Sequence, residues 1–338
     1  MKLNNFTLII NQSLYQVLKK IRKIYLNSTI YDKRISSKNF KALTYKPSLK
    51  ILGSIAKYEK TKNKIEDFET DKIWEVNKLS YKDYKKLNNF FWLFSVDLKS
   101  SKKICISIIS KWIESNQKYN DSLWEIDTLS RRIISWITNS QLTYDEGGKI
   151  FKEKFNKIIF KQTNHLINEI KRSDNYHDKL IGCSAIILVG ISYNHEKYLD
   201  FGLELLKKII TTSFDTEYFP KSRNIRQLIF YLKYFIILRE FLKESSNGIP
   251  EYLDEIIFHL GKGYNFVWGS VKQSLLFNGN HNSNLEDFDI YLDYQKYSFK
   301  SEKRDLGGYG ILKNKNVILG MDIGTCLLYT SDAADEPL

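Results

Sequence analysis

Apolar side chains recur at helical spacing through the central part of the chain. The clearest stripe consists of Ile104, Cys105, Ile108, Ile109, Trp112 and Ile113. The same spacing of three and four residues returns over residues 129–137, 151–170, 199–210 and 225–236. No proline falls within residues 48–219, and long helices are therefore permitted there. The pattern predicts a succession of amphipathic helices, each of which needs a helical neighbour.

One segment, residues 180–191 ("LIGCSAIILVGI"), is apolar on every side. Such a helix is enclosed by other helices, and it is too short to cross a bilayer, which needs roughly 20 residues. Amphipathic helices around a buried inner member indicate two concentric helical layers. We therefore predict a mainly α fold, built as a helical toroid or solenoid.

The pattern changes near residue 262, where glycine becomes more frequent and long apolar stripes end. Residues 265–270, 274–279 and 288–294 are predicted strands. Further on, Tyr309–Leu312 and Val317–Met321 are predicted to form a hairpin. Its turn is Asn314-Lys315-Asn316, and the glycines of residues 307–310 mark a bend before it.

These changes divide the chain into four predicted parts. Residues 1–80 supply lead-in helices that pack on the toroid, residues 81–262 form the toroid, and residues 263–325 begin a β domain. Residues 326–336 ("CLLYTSDAADE") match the translation of a common transposase-type sequencing adapter. We expect residues 326–338 to be an assembly artefact and the natural protein to continue in their place.

Composition and charge limit the possible partners. The 338 residues carry a net charge of +13 with a pI near 9.3, which favours a polyanion such as nucleic acid, anionic lipid or acidic polysaccharide. The cysteines have neither disulfide nor zinc spacing, and we expect Cys105 and Cys183 to be small buried apolar residues. No metal or cofactor is predicted. The first 26 residues run from an apolar core into a basic amphipathic pattern, so a cleaved signal peptide is not predicted.

Several stretches, taken in order, resemble the bacterial heparinase II/III-like family of polysaccharide lyases. They are "NNFFWLFSVDL" (88–98), "SKWIESN" (110–116), "LWEIDTLSRRIISWI" (123–137), "FPKSRN" (219–224), "LFNGN" (276–280) and "GGYGILKNKNVILGMDIG" (307–324). The resemblance covers about residues 85–325. It implies an incomplete α/α toroid followed by a C-terminal antiparallel β-sandwich, which this chain only begins. It also implies a location in the cell envelope or periplasm, with the cytoplasm as the alternative.

The resemblance implies cleavage of uronate polysaccharides by β-elimination. A base removes the proton at C5, a donor neutralises the uronate carboxylate, and an acid protonates the leaving oxygen. The connection Phe214–Gln227 would form part of the cleft wall, with Arg223 and Arg226 paired to substrate carboxylates and Asn224 and Gln227 as further substrate-binding residues. The alternative is a solvated helix start capped by Ser222 or Asn224.

The catalytic assignment departs from the family pattern. Gln227 stands where active members carry a tyrosine, and an amide cannot supply a phenolic proton. Tyr231 and Tyr218 are possible substitutes. Asn175 and His177 lie near the position of an Asn-His pair that holds the substrate carboxylate.

Other candidate site residues come from the same family resemblance and from the chemistry of the residues themselves. The family's general-base histidine comes from the β domain, where His281 is the candidate in this chain, in a predicted loop near Asp287 and Asp289. Trp124 is a candidate sugar platform. The pair Asn164-His165 is predicted to be partly buried structure.

The stretch around Trp124 also places four charged residues within two helical turns: Glu125, Asp127, Arg131 and Arg132. Two carboxylates would suit a glycoside hydrolase, but neighbours in sequence cannot flank a sugar ring on two sides. We instead predict that Asp127 or Thr128 caps the helix and that Arg131 or Arg132 pairs with a neighbouring helix.

The function predicted from the sequence is that of a heparinase II/III-like polysaccharide lyase, with an acidic polysaccharide as partner and with this fragment inactive. The first alternative is an inactive glycan-binding protein or an accessory of surface-polysaccharide biosynthesis, which Gln227 favours. The second is a helical scaffold for nucleic acid or protein, for which charge is the only support, and nucleic acid is therefore not the expected partner.

Overall fold

The protein is mainly helical, with a small antiparallel sheet near its C-terminal end. The computed structural model describes residues 2–37, 40–55, 79–269, 271–281, 284–301, 303–314 and 317–324. The helices are α1 Lys2–Leu26, α2 Thr29–Ile35, α3 Tyr81–Asn88, α4 Leu98–Ser115, α5 Ile126–Thr138, α6 Lys149–Ile170, α7 Tyr176–Ser192, α8 Glu196–Ser213, α9 Ile225–Glu244, α10 Glu251–Tyr264 and α11 Glu286–Tyr294. The strands are β1 Asp305–Leu306, β2 Tyr309–Lys313 and β3 Ile318–Asp322. Short 3₁₀ helices lie at Leu49–Ser54 and Phe91–Ser95.

The chain folds as two compact units. The first comprises Met1–Leu206 with Glu244–Asn247, and the second comprises Lys207–Lys243 with Gly248–Leu338. Helices α1 to α7 belong to the first unit, and α10, α11 and the sheet belong to the second. The boundary falls within α8, so this amphipathic helix contributes its N-terminal part to one unit and its last turns to the other.

The core of the first unit is built around α7, as the apolar run predicts. Every residue from Leu180 to Ser192 is buried, and α7 packs against α5 and α6. Two glycines allow α8 to approach closely, because a Cβ on Gly190 would lie 2.6 Å from the backbone nitrogen of Leu199 and a Cβ on Gly202 would lie 2.5 Å from Ile187. The prediction of an enclosed inner helix is confirmed.

Helix α5 places a fully buried arginine in the same core. The Arg132 side chain donates to the carbonyls of Asn88 and Leu123, both at 3.0 Å, and to Gln162 Oε1 at 3.3 Å. Its guanidinium carbon lies 4.2 Å from the ring centre of Trp112. The prediction that it forms a salt bridge to another helix is wrong, since Arg132 binds carbonyl and amide oxygens.

The start of α5 also differs from the prediction. Glu125 is the N-cap residue, and the Thr128 hydroxyl donates to the Glu125 carboxylate at 2.9 Å instead of capping the helix. Asp127 accepts from Arg131 Nε at 2.8 Å, one turn further along the same helix. Both predicted capping residues are therefore used in side-chain contacts, and Arg131 forms an ion pair within its own helix.

The second unit carries a three-stranded antiparallel sheet in the order β1-β2-β3. Leu306 pairs with Tyr309 across a two-residue turn, in which Gly307 and Gly308 have φ of +58° and +76°. Positive φ at both positions is typical of a type I′ turn and favours glycine. In the next hairpin, Lys313 pairs with Ile318, which confirms the predicted hairpin; the turn residues Lys315 and Asn316 lie outside the described residues.

Three of the predicted strands are wrong. Residues 265–269 continue α10 as one turn of π-helix, and residues 274–279 are irregular. Residues 288–294 belong to α11, which begins with Glu286, Asp287 and Asp289 in its first turn. Acidic side chains at a helix N-terminus stabilise the helix through its dipole, and the buried positions of α11 follow helical spacing.

Cys105 and Cys183 are buried free thiols, as predicted. Burial raises the pKa of the Cys105 thiol to about 12, so it has little thiolate character at neutral pH. None of the described helices has an apolar stretch long enough to cross a membrane. Cys326 and the predicted artefact over residues 326–338 lie outside the described residues.

Candidate functional site

The connection between α8 and α9 folds back on itself before α9 begins. Phe214 and Pro220 form an isolated antiparallel bridge. Within this loop, Asp215 Oδ1 accepts from the backbone nitrogens of Glu217 at 2.9 Å and Phe219 at 2.8 Å. The Asp215 carboxylate therefore stabilises the turn of the connection itself.

Arg223 attaches this connection to the sheet. Its guanidinium donates to the carbonyl of Gly307 at 3.3 Å and to that of Gly308 at 2.9 Å, and it forms an ion pair with Asp322. Its carbon lies 5.2 Å from the ring centre of Tyr309. Because only 11% of the Arg223 side chain is exposed, the residue predicted to bind substrate is largely committed to intramolecular contacts.

The glycines around Arg223 leave the space that it occupies. A Cβ on Gly307 would lie 2.2 Å from the Phe219 ring, and a Cβ on Gly308 would lie 2.7 Å from Arg223 Nε. A Cβ on Gly324 would lie 2.3 Å from the guanidinium carbon. The glycine-rich stretch is thus shaped to the phenylalanine and the arginine of "FPKSRN".

The "LFNGN" stretch joins the same group. Asn278 Nδ2 donates to the Tyr309 hydroxyl at 2.6 Å and to Asp322 Oδ2 at 3.3 Å. The Phe277 ring stacks on the Tyr309 ring, with 5.8 Å between centres, and the Tyr309 hydroxyl donates to the Arg223 carbonyl. We call Arg223, Asn278, Gly307, Gly308, Tyr309 and Asp322 the Arg223 cluster. Three of the stretches that carry the family resemblance meet in it.

The residues that follow Arg223 begin α9. Asn224 Oδ1 accepts from the backbone nitrogens of Arg226 at 2.9 Å and Gln227 at 3.3 Å, so Asn224 is the helix cap. Arg226 is exposed. Gln227 is 8% exposed and accepts a hydrogen bond from the Ser222 hydroxyl. Of these three predicted sugar-binding residues, Arg226 has the most accessible side chain.

Tyr231 is buried in the second unit. Its side chain is 1% exposed, and its hydroxyl donates to Ser213 Oγ at 3.0 Å. Its ring lies against Phe214 and Phe235, with centres 4.8 and 5.6 Å away. Burial raises the pKa of the phenol. The phenol of Tyr231, which was a candidate substitute for the tyrosine of the family pattern, therefore does not face solvent.

Two further predicted residues lie at the start of α7 in the first unit. Asn175 is exposed and is the N-cap residue, with its Oδ1 accepting from the backbone nitrogen of His177 at 2.8 Å. The His177 ring lies 4.0 Å from that of Tyr176. In the part of the chain that the structure describes, the Asn175 amide nitrogen has no hydrogen-bond partner. It can therefore donate to a ligand.

A carboxyl group that the sequence did not single out lies one residue beyond His177. Burial, and then the charges of Asp127 and Glu125, raise the pKa of Asp178 to about 6. The Ser173 hydroxyl donates to it at 3.3 Å. Asp178 is some fifty residues from Asp127 in sequence, so no local spacing signalled that these acids would be close.

The predictions for Trp124 and His165 have clear outcomes. Trp124 is 1% exposed and packs against His165, with ring centres 5.3 Å apart. It has no ring face at the surface, and the sugar-platform prediction is therefore wrong. His165 is 2% exposed and hydrogen-bonded to Tyr31 at 2.8 Å, which confirms that it is part of the buried structure.

His281 lies exposed in the irregular segment before α11. Of the acids predicted near it, Asp289 is already bound by the Tyr264 hydroxyl at 2.7 Å, Trp268 Nε1 at 2.9 Å and Lys272 at 2.7 Å. Three donors on one carboxylate fix α11 to the end of α10. Among the described residues, no group of histidine, cysteine and acidic side chains is arranged to hold a metal ion.

The predicted site residues are divided between the units. Trp124, Asn175 and His177 belong to the first, and Arg223, Asn224, Arg226, Gln227, Tyr231 and His281 belong to the second. Comparison with protein-family models, curated proteins and solved structures gives no match to this chain.

Proposed function

We propose that this chain is part of a heparinase II/III-like protein that acts on an acidic, uronate-containing polysaccharide. The observation that carries the proposal is the Arg223 cluster, in which three stretches from residues 219–224, 276–280 and 307–324 contact one another. The three stretches are separate along the sequence. Their contact in the folded chain supports a resemblance that extends to the structure of this region and is not limited to separate stretches of sequence.

In this proposal the Arg223 cluster holds the wall of the sugar site, and neighbouring exposed residues meet the polymer. Arg226 and Lys221 are exposed on the same connection, and a guanidinium fork suits a carboxylate. In the first unit, the Asn175 amide is the proposed donor to a uronate carboxylate, with His177 beside it. The proposal includes the other features that the family resemblance implies, which are an α/α toroid, a β-sandwich and a location in the cell envelope.

The complete protein would cleave its polymer by β-elimination. The C5 proton of a uronate is weakly acidic, so donors to the carboxylate must stabilise the enolate as it forms. Arg223 pairs with Asp322 in this chain, and this makes Arg226 the better candidate for that task in the second unit, while Asn175 is the candidate in the first.

A second candidate function is that of an inactive glycan-binding or biosynthetic accessory protein. Gln227 occupies the position of the expected tyrosine, and the phenol of Tyr231 is buried and bound to Ser213. These two observations favour binding without proton transfer to the leaving oxygen.

Affinity electrophoresis tests the proposal directly. We expect gels containing alginate or polygalacturonate, but not neutral dextran, to retard the chain. Lys221→Gln/Arg226→Gln should weaken retardation several-fold, and Lys157→Gln/Lys208→Gln, which removes two exposed charges from α6 and α8, should not. Equal effects of the two pairs would show a response to net charge alone and contradict the proposed site.

A second measurement separates lyase from binder. The ultraviolet absorbance of unsaturated uronate ends rises as β-elimination proceeds, and it should do so only with the protein extended beyond residue 325. Retardation without any such absorbance in the extended protein would favour the accessory function.

A further inference from the structure

Helix α1 presents an unusually exposed apolar stripe. Its members are Leu14 (56% exposed), Val17 (51%), Leu18 (56%), Ile21 (57%) and Ile24 (72%). Their spacing of three and four residues places them on one face of the helix. We call these five residues the α1 stripe. Such a continuous apolar face on the surface is typical of a binding surface.

The C-terminal end of α1 attaches the helix to its own unit. Arg22 forms an ion pair with Glu169, Lys23 donates to Asp121 at 3.1 Å, and Leu26 is buried. At about 100° per residue Lys23 and Leu26 lie on the side away from the α1 stripe, and Arg22 lies at its edge. Residues 13–20 are exposed on every side of the helix, so the α1 stripe faces solvent.

The charge of this part of the chain is entirely positive. Residues 1–31 contain no aspartate or glutamate, and they contain Lys2, Lys19, Lys20, Arg22 and Lys23. Lys20 is exposed beside the α1 stripe, and Lys19 is exposed on the other side of the helix. An apolar face with a basic flank is complementary to an interface that is apolar inside and negatively charged outside.

A second copy of α1 is a less suitable occupant. Leu14, Val17, Ile21 and Ile24 follow the spacing of a two-stranded coiled coil, in which Lys20 would take a flanking position. Its counterpart on a parallel second helix is Tyr25, and residues 1–31 contain no acid. A second copy therefore offers Lys20 no opposite charge, whereas an anionic surface does.

We propose that α1 binds a bilayer surface containing anionic lipid, with the α1 stripe inserted at the level of the headgroups and Lys20 in contact with lipid phosphates and carboxylates. The helix lies in the interface and does not cross the membrane. This proposal is independent of the polysaccharide function.

Vesicle co-sedimentation of the full chain tests it. We expect binding to phosphatidylcholine vesicles containing phosphatidylserine and at least tenfold weaker binding to phosphatidylcholine alone. Leu14→Ser/Ile21→Ser should lower the partition coefficient more than tenfold, because each lost side chain removes buried apolar area. Ile150→Ser/Ile290→Ser, which changes two side chains of 70% and 66% exposure outside α1, is the matched control and should leave binding unchanged.

The charges are tested separately. Lys20→Gln should weaken binding to anionic vesicles by roughly fivefold at low salt, and Lys208→Gln on α8 should have a much smaller effect. Circular dichroism of each variant shows whether the helices are retained.

Three outcomes would overturn the proposal. They are equal binding to neutral and anionic vesicles, equal loss in the matched controls, and a concentration-dependent dimer that Leu14→Ser/Ile21→Ser dissociates in the absence of lipid binding. The last would identify a second copy as the partner of the α1 stripe.

Discussion

Arg223 and Tyr309, 86 residues apart in sequence, hold each other by two contacts of different kinds. The Tyr309 hydroxyl donates to the Arg223 carbonyl, and the Arg223 guanidinium carbon lies 5.2 Å from the centre of the Tyr309 ring. The same guanidinium reaches the turn carbonyl of Gly308 and the Asp322 carboxylate. The start of α9 and the hairpin therefore form one structural element, and Arg223 connects them.

We expect Gly308→Ala to destabilise this element. Gly308 has φ of +76°, and an added Cβ would lie 2.7 Å from Arg223 Nε. Left-handed backbone in a residue other than glycine costs about 1–3 kcal/mol, and the contact adds to this cost. Urea unfolding measures the loss of stability, and hydrogen exchange should show it first in β2 and β3.

Gly248→Ala is the matched control in the same unit. Gly248 has no atom within 4 Å of an added Cβ and no positive φ, so the change should be neutral within about 1 kcal/mol. Similar losses of stability in the two variants would mean that the close fit of Gly308 against Arg223 makes no specific contribution to the free energy of unfolding.

Arg132→Gln should cost about 3–5 kcal/mol of the free energy of unfolding. The side chain is fully buried, and removing the guanidinium leaves the carbonyls of Asn88 and Leu123 without their donor. Arg131→Gln, one residue away, loses a partly exposed pair within its own helix and should cost less than about 1 kcal/mol. Chemical denaturation of both variants makes the comparison, and equal costs would contradict the structural role of Arg132.

The sequence predicted the helical part of the fold well because its signal is local. The stripe around Ile108 and Trp112 has a period that only a helix can bury on one side, and the all-round apolar run of α7 has no solvent-facing position. Residues 288–294 show the limit of such reasoning. Phe288, Tyr291 and Leu292 are at helical spacing, but seven residues rich in aromatic side chains also fit a strand.

The candidate site was less predictable because its contacts are remote in sequence. Nothing near Arg223 indicates that its partner is Asp322, and nothing near Asp178 indicates that Asp127 will be close. Asn224 is the exception: an asparagine directly before a helical stripe predicts a cap from local pattern alone, and the structure confirms it.

Asp178 should make the stability of the protein depend on pH. Its pKa is raised from 3.8 to about 6 in the folded protein, so the unfolded chain loses this proton first as the pH rises. The free energy of unfolding therefore falls between about pH 4 and pH 6 and stays lower above that range. Asp178→Asn removes this loss and should be more stable at neutral pH by about 1–3 kcal/mol.

Denaturation of both proteins across this range measures the difference. Asp174→Asn, an exposed acid in the preceding loop, is the control and should follow the wild-type curve. Parallel curves for the wild type and Asp178→Asn would show that Asp178 has no raised pKa in the folded state.

His165 should produce a pH dependence of the opposite sign. Its Nε2 lies 3.1 Å from the Trp124 carbonyl, which can only accept, so Nε2 carries the proton and Nδ1 accepts from the Tyr31 hydroxyl. Burial lowers the pKa of His165 from 6.5 to about 4. As the pH falls from 6.5 towards 4, the unfolded chain binds a proton that the folded protein does not, and stability is lost.

The size of this loss is about 3 kcal/mol, from the difference between the two pKa values. His165→Gln keeps a polar side chain but cannot titrate. It should be less stable at neutral pH and should lose less stability on acidification than the wild type. His281→Gln is the control, because it removes an exposed imidazole that is remote from the buried contact with Tyr31, and it should leave the slope unchanged. Identical acid slopes for the wild type and His165→Gln would mean that His165 binds its proton equally well in the folded protein, against the buried contact with Tyr31.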